Sequence, residues 1–102
     1  MPIKDNFILK EIAGEYVIIP ISNKNLDTTK LFNVNETGAF IFKKLKENKT
    51  VEEIKDLMKK EYDAEDEELL NDINYFIDLL KKKGIYNENW FKRLKTFNGW
   101  SF

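Results

Sequence analysis

A chain of 102 residues with 42% hydrophobic residues, 34% charged residues and a formal net charge of −1 encodes one small globular domain, with no overall pull toward nucleic acid or anionic lipid. Cysteine and histidine are both absent, which removes disulfides, thiolate metal sites, thiol nucleophiles and the commonest general base. The N-terminus lacks a basic stretch followed by an apolar one, and no apolar run approaches the roughly 18 residues that span a bilayer; a cytoplasmic protein is expected.

The first element is a strand over Phe7-Ile8-Leu9-Lys10-Glu11-Ile12-Ala13. A tight turn at Gly14-Glu15 leads to a second, strongly β-forming run, Tyr16-Val17-Ile18-Ile19-Pro20-Ile21. Two such runs around a short glycine-containing turn predict a hairpin. Ser22-Asn23-Lys24-Asn25 is a polar loop, and Lys30 to Val34 is a third, shorter strand whose alternation buries Phe32 and Val34 and turns Leu31 and Asn33 away. Asn35 then caps a first helix, with Glu36 at the positive end of its dipole. Within that helix Gly38 costs about 1 kcal/mol against alanine, so it implies close approach to a neighbouring backbone. Asn48-Lys49 ends this helix, and Thr50-Val51-Glu52-Glu53 is a capping box opening a second, with an apolar stripe of Val51, Ile54, Leu57 and Met58. A third helix starts at Asp63 or Ala64 and carries Leu69, Leu70, Ile73, Phe76, Ile77 and Leu80 at helical spacing. Lys81-Lys82-Lys83 sits at its negative end, with Gly84 following. The expected fold is α+β: a three-stranded antiparallel sheet packed on a three-helix bundle. Residues 1–85 form the domain. Residues 86–102 form an aromatic-rich, locally basic C-terminal extension, with Trp90, Phe91, Leu94 and Phe97 spaced for one face of a short helix.

Little chemistry is available. Glu65-Asp66-Glu67-Glu68 suits the start of a helix, where acids favour the dipole, and Asn35-Glu36-Thr37-Gly38 offers neither base nor nucleophile. No catalyst, cofactor or metal is expected, and binding is the better reading. One geometry is a winged-helix DNA-binding regulator reading with the third helix. Against it, residues 65–78 carry six acids and no lysine or arginine, which phosphate would repel. The other geometry is peptide capture. An edge strand offers unpaired N–H and C=O groups, and an extended peptide adds to it beside a helical wall. The candidate edge is Lys30, Leu31, Phe32 and Asn33. The candidate wall is Leu70, Asn74, Ile77 and Lys81, of which Leu70 and Ile77 suit an ordinary core equally well.

The run from "LFNVNETGAFIF" through "TVEEI" to "LLKKKGI" resembles the PqqD-like family of peptide chaperones and recognition elements, with "LKEIAGEYVIIPI" a looser match to its hairpin. The resemblance covers roughly residues 7–85. It implies a winged helix-turn-helix-like fold that does not bind DNA. It implies a leader segment of a ribosomally made precursor docked between third strand and third helix, against Leu31 and Asn33 on the strand and Leu70, Asn74, Ile77 and Lys81 on the helix. It also implies a maturation enzyme as partner, often a radical S-adenosylmethionine protein, with neither nucleic acid nor membrane involved. Monomer and homodimer are both compatible. The extension beyond residue 85 departs from the family pattern.

Overall fold

The computed structural model describes residues 2–22, 25–27 and 30–87. Strands β1 (Phe7–Ile12) and β2 (Glu15–Ser22) form the expected hairpin, with Phe7 opposite Pro20 and Ile12 opposite Glu15. The turn falls one residue earlier than the sequence suggests. Ala13 and Gly14 take φ of 53° and 82°, and two successive left-handed residues give a turn whose twist matches the strands. Strand β3 (Asn25–Leu26) pairs with Ile21 and Ser22, and β4 (Phe32–Val34) pairs with Tyr16, Val17 and Ile18. The sheet therefore has four strands, the extra one being a two-residue pairing within what reads as polar loop. β2 is central, flanked by β1 on one side and by β3 and β4 on the other. Among the described residues no strand pairs with the far edge of β4.

Register fixes the two faces of the sheet. Phe7, Leu9, Ile18, Phe32 and Val34 turn toward the helices and pack in their core. Ile8, Val17, Ile19 and Asn33 turn the other way, because successive side chains alternate.

Helix α1 (Glu36–Lys46) begins as anticipated, with Asn35 Oδ1 accepting from the Gly38 N–H at 2.7 Å. Asn48 follows its end with a φ of 64°. Helix α2 (Val51–Lys59) opens with the full capping box: Thr50 Oγ1 accepts from the Glu53 N–H at 3.2 Å, and Glu53 Oε1 accepts from the Thr50 N–H at 2.9 Å. Helix α3 (Asp66–Lys82) starts later than Asp63 or Ala64. Tyr62 and Ala64 are drawn against the core, and the backbone stays extended through Glu65. Asp66 then anchors the first turn to α2 through Lys59 and through Lys55 at 3.5 Å. The Lys59 hydrogen bond, with the two lysine charges, holds the Asp66 carboxyl below its usual range. Lys55 is pushed up to about 12, first by its hydrogen bond to Asp56 and then by Glu52 and Asp66.

The core joins Ile18 to Ile41, Phe42 and Leu45 of α1, Ile54 and Met58 of α2, and Leu69, Ile73, Phe76, Ile77 and Leu80 of α3. Two terminal segments complete it. Ile3 bridges Tyr86, the Lys4 N–H reaches the Ile85 carbonyl at 3.1 Å, and the Asn87 N–H reaches the Pro2 carbonyl at 2.7 Å. Ile3, Ile85 and Tyr86 are all buried, and burial pushes the Tyr86 hydroxyl pKa up. Tyr86 thus packs in the same core, although the sequence groups it with the extension. Residues 88–102 of that extension lie outside the described residues.

The capping box gives a direct test of local stability. Thr50→Ala is expected to cost about 1 kcal/mol in denaturant unfolding. The Glu53 carboxyl lies below its ordinary value, first through the Thr50 backbone N–H and next through the hydroxyl. Its contribution is therefore present above the ordinary carboxylate range and is lost as pH falls through the lowered value. Removing the hydroxyl should move the Glu53 titration upward in an NMR pH series.

Candidate functional site

Among the described residues β4 pairs with β2 alone. In an antiparallel ladder, alternate residues turn their N–H and C=O groups to one neighbour and the intervening residues turn theirs to the other. A three-residue strand bound to β2 alone therefore presents hydrogen-bonding groups along its free edge. Beside that edge, α3 brings Asp72, Tyr75, Phe76 and Leu79 against Asn33, Val34, Asn35, Thr37, Gly38 and Ile41, enclosing a hollow of about 360 Å³. Val34, Ile41, Phe76 and Leu79 make an apolar floor; Asn35, Thr37 and Asp72 supply polar groups. Tyr75, which lines this hollow, is 75% exposed.

Gly38 sets the depth of this hollow. A Cβ there would lie 2.9 Å from Phe76 Cε1 and 3.3 Å from both Asn35 Oδ1 and Val34 Cβ. The close approach expected at Gly38 is thus to a ring edge and a capping side chain, rather than to backbone. The other end of β4 borders a second hollow of about 440 Å³, lined by Asn6, Phe7, Pro20, Lys30, Leu31, Phe32, Lys83 and Ile85. There Lys83 Nζ lies 4.7 Å from the centre of the Phe32 ring, a cation–π contact joining the strand to the C-terminal end of α3. One end of β4 therefore faces a carboxylate, Asp72, and the other faces two lysines, Lys30 and Lys83.

The structure brings together Lys30, Leu31 and Phe32 of the expected site, with Asn33 at the adjoining hollow. The Asn33 side chain turns to the opposite face of the sheet, where Nδ2 donates to Glu15 Oε2 at 3.1 Å. The expected helical wall is not beside β4. Asn74, Ile77 and Lys81 line a different hollow of about 420 Å³, with Pro2, Leu45, Lys49, Thr50, Val51, Asp78 and Tyr86. Lys81 Nζ sits 5.5 Å from the Tyr86 ring centre, Ile77 is buried in the core, and Leu70 is half-buried on the same flank of the helix. The reason is rotational. At about 100° per residue, the line through residues 70, 74, 77 and 81 and the line through 72, 75, 76 and 79 border opposite sides of the core stripe. β4 packs beside the second. Periodicity alone does not separate the two flanks.

Among the described residues no cluster of acids is arranged to hold a metal ion, and no helix is long and apolar enough to cross a membrane.

The sequence pattern described as coenzyme PQQ synthesis protein D, PqqD, matches residues 8–85. The chain belongs to the PqqD family. Two solved structures share this PqqD architecture of antiparallel sheet and three helices. One is TbiB1 in complex with the TbiA(beta) leader peptide, 28% identical, with a TM-score of 0.69 over 85% of this chain and 95% of that one. The other is a lasso peptide synthetase B1 complexed with the leader peptide, 16% identical, with a TM-score of 0.69 over 83% of this chain and 94% of that one. At that identity the second likeness is one of fold. No curated protein gives a significant match.

Gly38→Ala should test how tightly the hollow is built. The methyl group meets Phe76, which is held in the core. Overpacking of about 1–3 kcal/mol is set against a helix-propensity gain of about 1 kcal/mol. A net loss of up to about 2 kcal/mol is expected in thermal unfolding, with chemical-shift changes at Phe76, Val34 and Asn35.

Proposed function

We propose that this protein is a non-catalytic peptide chaperone: it binds the leader segment of a ribosomally made precursor as an added strand on β4 and presents it to a modifying enzyme. The observation that carries this reading is the free edge of β4 lying beside an apolar hollow on α3. The similarity to TbiB1, solved with a leader peptide bound, supports it. Main-chain hydrogen bonds to the strand edge supply affinity, and alternate side chains of the peptide reach the hollow for specificity. Ile41, Phe76 and Leu79 offer apolar contact, and Tyr75 is free to close over the guest. The chemistry belongs to the partner enzyme, of which a radical S-adenosylmethionine protein is one class, and the encounter takes place in the cytoplasm. The DNA-binding alternative finds no support in these comparisons, and Glu65, Asp66, Glu67 and Glu68 stand exposed at the end of α3 that would approach phosphate.

Titration of labelled protein with a cognate leader should shift the amides of residues 32–35 together with those of Asp72, Tyr75 and Leu79. Tyr75→Ala removes an exposed aromatic anchor and should weaken binding about tenfold, or about 1.4 kcal/mol, with little change in unfolding temperature. Asn74→Glu lies on the opposite flank and should leave affinity unchanged. The reverse pattern, with Asn74→Glu weakening the complex and Tyr75→Ala neutral, would place the guest against the other hollow.

A further inference from the structure

Three hollows border β4, and their charges are divided by sign. At the start of the strand Lys30 and Lys83 line the hollow that reaches Leu31 and Phe32, and no acid among the described residues lines it. At the end of the strand the sign reverses. Asp72 lines the hollow on the α3 side. A third hollow of about 480 Å³, at the hairpin turn, brings Glu15 and Glu36 beside Asn33 and Val34. Among the described residues no lysine or arginine lines either of these two. Lys30, Lys83, Asp72 and Glu36 are exposed, and none joins an ion pair among the described residues. Glu15 accepts from Asn33, an uncharged amide. The helix dipoles account for Lys83 and Glu36, which sit at helix ends. Lys30 and Glu15 lie on no helix, so the division extends beyond what the dipoles require.

We propose that β4 selects a leader segment whose own charges are segregated, a basic residue followed a few positions later by an acidic one, added antiparallel to the strand. The inference rests on the reading of β4 as the docking edge and names what that edge prefers. Phe32 and Val34 both turn toward the helices, and residues opposite each other in paired strands share a face. A guest side chain opposite Phe32 therefore faces the hollow of the two lysines, where a carboxylate is favoured. One opposite Val34 faces the apolar floor beside Asp72, and a basic residue at or just beyond it meets Asp72, Glu15 and Glu36. All the pairings of this sheet are antiparallel, and antiparallel addition is slightly the more stable per residue. A guest running that way passes Val34 before Phe32, so its basic residue comes first. The opposite charge order sets acid against acid and lysine against lysine, which excludes the wrong direction and the wrong segment.

Random peptides displayed on phage and selected on the full-length protein supply the probe. Those that shift the amides of residues 32–35 should carry a basic residue ahead of an acidic one. Exchanging these two residues within one such peptide should weaken binding roughly tenfold, since two exposed ion pairs are lost and two repulsions gained. Raising the salt concentration should remove most of that difference. Lys83→Glu and Lys30→Glu should each weaken the original peptide roughly fivefold, and each should favour the form in which lysine replaces the peptide's acid. Lys30→Glu leaves the contact between Lys83 and Phe32 in place, so a loss there reports on charge rather than on packing. Edge-binding peptides with no preferred charge order, or with the acidic residue consistently first, would overturn the inference and leave the docking edge standing. Selected peptides that shift only residues away from β4 would overturn the docking edge itself, and the inference with it.

Discussion

The arrangement of the candidate site depends on one missing methyl group. Gly38 lets the edge of Phe76 come within the distance at which any side chain would collide, and that contact sets α3 at its spacing from β4 and α1. The same residue donates its N–H to Asn35, so the strand-to-helix joint and the depth of the hollow are fixed at a single place. Helix propensity alone disfavours glycine there by about 1 kcal/mol. The close packing of Phe76, itself part of the core, supplies the reason for it.

Around this joint the charges are segregated. Acids gather at the start of α3 and lysines at its end, which suits the helix dipole. Because β4 runs against α3, Asn33 and Val34 lie near Asp72 while Phe32 lies under Lys83. A guest strand added to β4 would meet a negative group at one end and positive groups at the other. The dipole arrangement that stabilises the helix also gives the groove a polarity. At a partly wet groove such charges contribute more to orientation and encounter than to affinity.

Much of this was readable from the residues. The hairpin, the Asn35 cap, the Thr50–Glu53 box and the α3 stripe all rest on local rules, and each has the expected partners. The features that escaped are those without a period or a local signature. Strand β3 is two residues long, and the Ile3–Tyr86 bridge joins opposite ends of the sequence. The start of α3 was shifted by the burial of Tyr62 and Ala64, a tertiary effect. The flank of α3 that borders β4 was the most instructive case. Periodicity identifies the core stripe, but its two flanks are equivalent in sequence. Only the packing of β4 against the Asp72–Leu79 side distinguishes them.

The pairing of Ile3 with Tyr86, with Pro2 and Asn87 hydrogen-bonded beside it, brings the two ends of the described fold to one point. A unit closed on itself in this way can be spliced into a longer polypeptide, or hung from one, through a single neck. The host need not traverse the sheet edge or the helix flank beside it. Modularity of this kind follows from a few hydrogen bonds at the seam.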